Sequence, residues 1–254
     1  MYIIYTENIE YPWINNDMTS KKKPKIAEES NPWKLDFKVT CNFNMGVVHK
    51  SFTSLLTKHD TKMVFVDGPA GTAKTYLAVH SALQMLQKGL YGEVVYIRSV
   101  VESASQKMGS LPGEVEDKFL PWSMPLIEKL DEIIGVVSRK NLMESGAVHC
   151  VPVNFVRGLT FSNSIVIVDE SQNLTQGELV TILTRFGENS KFIVIGDTKQ
   201  SDISGRSGFR NVYKCFNNSA SEEEGIFTFK FGPNEIVRSE ILKFIVAQLE
   251  DLDH

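Results

Sequence analysis

The chain has 254 residues, 42% apolar and 23% charged, with a formal net charge of −4, an ordinary composition for a globular protein with one large core or two small ones. No apolar run approaches the roughly 18 residues that cross a bilayer, and Met1–Trp13 has no basic segment ahead of an apolar stretch, which argues against a spanning helix or a secretory leader and for a cytoplasmic protein. The three scattered cysteines, Cys41, Cys150 and Cys215, contain no CxxC pair, so neither a disulfide framework nor a zinc site is suggested, and the net charge by itself says nothing about nucleic acid.

Residues 1–33 lack a sustained apolar period and read as an N-terminal extension, in which the run from Lys21 to Lys25 is a solvated basic cluster. Residues 34–254 read as one domain. Met63–Val66 is a short apolar run closed by Asp67-Gly68, and from Tyr76 to Gln87 apolar residues recur at helical spacing, which gives a strand, a glycine loop and a helix in succession. Val94–Ile97, Ser164–Val168 and Phe192–Ile195 are further short apolar runs closed by polar residues or glycine, as expected of strands covered on both faces. Helices are expected over 114–136, 176–186, 207–216 and 235–250, and Glu222–Glu224 in a polar loop. Trp122 and Met124 are expected to pack or to line a partner surface. The alternation predicts an α/β fold, a mainly parallel sheet flanked by helices in an αβα sandwich.

The loop reads Gly68-Pro69-Ala70-Gly71-Thr72-Ala73-Lys74-Thr75. A phosphate-binding loop wraps backbone N–H groups around a phosphate, adds a helix N-terminus and reaches the terminal phosphates with a lysine. Gly68, Gly71, Lys74 and Thr75 stand where that design needs them, and Gly68 to Thr75, with Tyr76, are the expected nucleotide-binding residues. Ala73 replaces the usual last glycine. Because the position opens a helix, a negative φ, in which alanine fits, is expected there.

Ser164–Val168 then delivers Asp169 and Glu170 to the carboxyl end of the sheet, where the loop also points. Asp169 with the Thr75 hydroxyl suits a Mg²⁺ site, and Glu170 suits the polarisation of an attacking water. A third strand ends Gly196-Asp197-Thr198-Lys199-Gln200, and the Gln200 amide can both donate to a γ-phosphate oxygen and accept from water. Catalytic roles are therefore expected for Lys74, Glu170 and Gln200.

The order of these motifs resembles the PhoH-like (phosphate-starvation-inducible) P-loop ATPases, relatives of the superfamily 1 helicases. The resemblance runs from about residue 45 to the C-terminus through GPAGTAKTYLA, VVYIRSVVE with SLPGEVEDK, DESQNLT, GDTKQSDI and EIVRSEILKFIV. It implies a RecA-like core, ATP and Mg²⁺ as cofactors, hydrolysis assigned to Lys74, Thr75, Asp169, Glu170 and Gln200, and a helicase-like role with single-stranded RNA or DNA. Two departures stand out: Ala73, and the lack of an Asn-x-x-Gln adenine signature around Asn42–Lys50. Arg238 resembles the family's late arginine and is the candidate finger for the developing phosphoryl charge. Arg98, Arg157 and Arg206 are candidate contacts to phosphate or nucleic acid. Motor helicases of this superfamily place ATP between two lobes, whereas roughly 210 residues here supply one. A homo-oligomer, for example a ring, with an arginine acting in trans is expected. The alternatives are a slow nucleotide-dependent switch or scaffold and a small-molecule kinase on the same loop.

Overall fold

The computed structural model describes residues 37–99, 115–203 and 205–237, together with positions 241, 244, 245 and 248. The N-terminal extension and Arg238 lie outside the described residues. In chain order the elements are α1 (Val47–Thr57), β1 (Met63–Asp67), α2 (Lys74–Gln87), β2 (Glu93–Arg98), α3 (Val115–Glu144), β3 (Val148–Cys150), β4 (Ser164–Asp169), α4 (Gln176–Leu183), β5 (Lys191–Gly196), α5 (Phe209–Phe216), α6 (Ser219–Glu223) and β6 (Ile226–Lys230).

The six strands form one all-parallel sheet in the order β3-β2-β4-β5-β1-β6. Each central strand is apolar at consecutive positions because its two faces enter two cores. Val64, Val66, Val94, Tyr96, Ile165, Ile167, Ile193 and Ile195 face α1, α2 and α3, while Phe65, Val95, Ile97, Val166, Val168, Phe192 and Val194 face α4 and α5. That period of two is the strand pleat, and burial on both sides erases the hydrophobic–polar alternation of a half-exposed strand. The α/β architecture expected from the sequence is therefore present.

Several boundaries differ from expectation. The helix expected over 114–136 runs to Glu144 through a break at Gly135 (φ 79°, ψ 160°), a conformation that glycine tolerates. Glu222 and Glu223 lie in α6, whose N-terminus is capped by the Asn218 side chain accepting from Ser221 N at 3.0 Å. Instead of a helix beginning at 235, Pro233–Glu235 forms a 3₁₀ turn, followed by extended Ile236. Positions 241, 244, 245 and 248 are helical, and the rest of the expected 235–250 helix beyond Val237 lies outside the described residues. Among the described residues no helix is long and apolar enough to cross a membrane.

Candidate active site

The carboxyl ends of β4, β5 and β1 are neighbours in the sheet. Over them opens a cavity of about 520 Å³, lined by Ala70–Tyr76 of the glycine loop and the first turn of α2, by Asp169, Glu170 and Gln172 at and beyond the end of β4, and by Gly196, Asp197 and Gln200 at and beyond the end of β5. Two contacts at this edge of the sheet set the loop's position. Asp67, the last residue of β1, accepts from Thr198 N at 2.8 Å and from Thr198 Oγ1 at 3.0 Å, which ties the start of the loop to the segment that carries Gln200. Gly68 follows because there is no room for more: a Cβ there would stand 2.7 Å from Phe231 Cβ.

Ala73 corrects the expectation. It has φ 61° and ψ 21°, in the left-handed region, so the position that precedes α2 retains the conformation for which glycine is normally used. An alanine there costs on the order of 1–2 kcal/mol relative to a relaxed backbone, and its methyl packs against the core on the helix side. Glu170 is also left-handed, at φ 53°. Two non-glycine residues with positive φ thus sit at the cavity, held there by the surrounding hydrogen bonds.

Lys74 opens α2, and its Nζ donates to the carbonyls of Gly68 at 2.5 Å and Pro69 at 2.8 Å. Burial lowers the ammonium's pKa, and Asp197, Asp169, Glu170 and Asp67 oppose that shift. Thr75 Oγ1 donates to Asp169 Oδ1 at 2.9 Å, and Asp169 is only 5% exposed. The Glu170 side chain is 40% exposed, with Arg98 4.0 Å from Oε1. Its other oxygen accepts from Gln172 Nε2 at 2.5 Å, and Gln172 Oε1 accepts from Asp197 N at 3.2 Å. Burial, with Asp169 as a nearby like charge, pushes the Glu170 carboxyl above the usual carboxylate range. Burial likewise raises Asp197.

A second flank of the cavity is made by Asn42, Phe43, Tyr76, Lys129 and Glu132. Tyr76, in the first turn of α2, accepts from Asn42 N at 3.1 Å, and the Phe43 ring meets it edge-on with centroids 5.4 Å apart. Asn42 Nδ2 donates to the Glu132 carbonyl at 2.8 Å, so the segment before α1 is pinned across both α2 and α3.

Residues 45–250 match the family of PhoH-like proteins. This chain belongs to the PhoH family. It is 32% identical over 197 residues to a PhoH-like protein of Bacillus subtilis (strain 168), covering 78% of this chain and 60% of that one. It is 35% identical over 203 residues to a PhoH-like protein of Synechocystis, covering 79% and 60%, and 32% identical over 184 residues to Protein PhoH of Escherichia coli (strain K12), covering 71% and 51%. The chain thus spans between about half and 60% of the length of these relatives. The Pif1 helicase of Candida albicans, a solved structure, is similar at 16% identity over 83% of this chain and 44% of that one, with a TM-score of 0.40.

Within this PhoH-family fold, a P-loop NTPase-like one, the residues expected from the sequence divide into two groups. Lys74, Thr75, Asp169, Glu170 and Gln200 meet at one cavity, with Ala70 to Tyr76 around them, while Gly68 and Pro69 contribute their carbonyls to Lys74. Arg98 joins them through Glu170. Arg157 and Arg206 are exposed and do not line the cavity, and Arg206 Nε donates to the Ile203 carbonyl at 3.3 Å. Gln172, Asp67 and Asp197 are not marked as site residues by the sequence, and the Asn42 stretch drew attention there only for its missing adenine signature. Gln172 and Asp197 were in plain view inside motifs already marked, three and two residues from Asp169 and Ile195, but nothing in their spacing says that they bond to each other. The PhoH chain's return path also matters: after β6, Val237 N donates to the Gly71 carbonyl at 3.0 Å, and Val237 reaches the cavity.

Proposed function

We propose that this chain binds ATP with Mg²⁺ at the loop between β1 and α2, hydrolyses it, and couples hydrolysis to single-stranded RNA or DNA as a cytoplasmic homo-oligomer. The observation that carries the reading is the meeting of Lys74, the Thr75–Asp169 pair, Glu170 and Gln200 at one cavity over the carboxyl edge of a parallel sheet.

The donor set fits the ligand. Gly68 to Tyr76 hold the triphosphate through loop amides and the N-terminus of α2. The Lys74 ammonium exchanges its two carbonyl partners for β- and γ-phosphate oxygens, which carry full charge and bind it more strongly. Thr75 Oγ1 and Asp169 Oδ1 are hard oxygen donors, 2.9 Å apart, of the kind Mg²⁺ prefers, and the ion when bound offsets charge on the phosphates. Glu170 orients and polarises the attacking water, with Gln172 and Arg98 fixing its carboxylate. A water-polarising carboxylate at this place favours hydrolysis over a kinase, which excludes water.

Gln200 senses the γ-phosphate, and Asp67 couples its segment to the glycine loop through Thr198. Arg238 is the finger candidate, and Arg98, Arg157 and Arg206 contact phosphate or strand. The test is phosphate release from ATP measured with and without single-stranded RNA and DNA, beside sizing in solution. Polymer-stimulated, concentration-dependent turnover by an oligomer is the expected result. Turnover that is slow and indifferent to polymer indicates a nucleotide switch, and full activity of a strict monomer contradicts a site completed in trans.

A further inference from the structure

The Thr75–Asp169 pair has a third member. Tyr96, in the middle of β2 and 1% exposed, donates its phenol to Asp169 Oδ2 at 2.5 Å, while Thr75 occupies Oδ1. The register sets Tyr96 opposite Ile167, two residues before Asp169 on β4, so the phenol reaches along one face of the sheet to the carboxylate. Its ring belongs to the core that holds Ile165, Ile167 and Val94. A phenylalanine would pack there equally well and spare the cost of burying a hydroxyl. The hydroxyl spends its hydrogen bond on Asp169. A phenol is a neutral hydroxyl donor at ordinary pH, so against a carboxylate oxygen it donates.

We propose that Tyr96 is a positioning residue for the divalent cation of the bound nucleotide: by holding Oδ2 it fixes the plane of the Asp169 carboxylate, so that Oδ1 and the Thr75 oxygen face the cation together. The inference rests on reading the cavity as a Mg²⁺–nucleotide site. Mg²⁺ demands near-ideal octahedral geometry and tolerates little ligand rotation, and removing a partner that orients a ligand costs about 10- to 100-fold in metal affinity.

The test is binding of a fluorescent ATP analogue to the purified chain as Mg²⁺ is raised from an EDTA baseline. Tyr96→Phe should need about 10-fold more Mg²⁺ to reach half of the metal-induced gain in nucleotide affinity. Its affinity in EDTA should stay close to the wild type's. In an Asp169→Ala background the same substitution should add nothing, because no oxygen is left for the phenol to hold. If the phenylalanine variant melts early, binding is read below both midpoints and Tyr96→Met repeats the comparison. Superimposable Mg²⁺ curves for wild type and variant overturn the proposal, and so does an equal shift in the Asp169→Ala background. A wild type indifferent to Mg²⁺ overturns the reading of the whole site, a result distinct from a responsive wild type matched by its variant.

Discussion

Lys74 and Lys191 stand at opposite ends of the sheet and do the same thing locally: each turns its ammonium onto two backbone carbonyls. Lys74 takes those of Gly68 and Pro69. Lys191, 1% exposed at the amino end of β5, takes Leu56 O at 2.7 Å and Lys58 O at 2.8 Å, which satisfies the C-terminus of α1. What separates them is the company. Four carboxylates surround Lys74 and hold its charge against burial. Burial alone acts on Lys191, whose pKa falls from its ordinary 10.5 to about 8. On the proposed function, the ammonium amid carboxylates at the cavity exchanges its partners for a ligand, whereas the one enclosed with two carbonyls at a helix end fastens α1 to the sheet.

That contrast can be broken by substitution. The largest effect is expected inside the carboxylate cluster: Glu170→Gln should retain ATP and lose turnover by about 10²- to 10⁴-fold, read by phosphate release at saturating nucleotide. Unchanged hydrolysis would remove the assignment of Glu170. Lys74→Ala should weaken ATP binding by about 10- to 100-fold in a calorimetric titration. Lys191→Met, by contrast, should leave ATP affinity intact and cost on the order of 1–3 kcal/mol in urea unfolding, because two α1 carbonyls lose their donor. A nucleotide phenotype for Lys191→Met, with no loss of stability, would dissolve the distinction between the two lysines.

The distinction sharpens with pH. Lys191 loses its proton near 8 in the fold and near 10.5 in the unfolded chain, so between those values the unfolded state binds more protons and stability rises with pH. Relative to Lys191→Met, the wild type should gain on the order of 1–2 kcal/mol from pH 8 to 10 in urea titrations. Parallel pH profiles would mean that the ammonium is not desolvated. The smallest effect belongs to the loop. Ala73→Gly should stabilise the fold by about 1 kcal/mol, seen as a raised thermal midpoint, because it relieves a left-handed alanine.

Much of this was legible in the residues. β1, β2, β4 and β5 announce themselves as apolar runs because they are buried on both faces. β3 does not: it is a three-residue edge strand, Val148-His149-Cys150. β6 reads Ile-Phe-Thr-Phe-Lys and is only partly buried at the opposite edge, although its alternating phenylalanines were a usable signal. Lys74, Thr75, Asp169, Glu170 and Gln200 were marked by motifs, since loop, helix start and strand end fix their places locally. The φ of Ala73 was misjudged because helical spacing begins at Lys74 and says nothing of the turn that feeds it.

What the linear order determined is which residues stand at the ends of the apolar strands and at the start of the first long helix, because hydrophobic period and glycine placement act over a few residues. Which of those ends become neighbours was decided by packing: β1 lies beside β5 and β6, and β4 between β2 and β5, so that Tyr96, Thr75 and Asp169 converge from three elements. The same packing lets the Asp67 carboxylate reach Thr198 and places Lys191 under the end of α1. Side-chain hydrogen bonds between distant segments leave no periodic trace, and they exist only once the two cores have closed on the sheet.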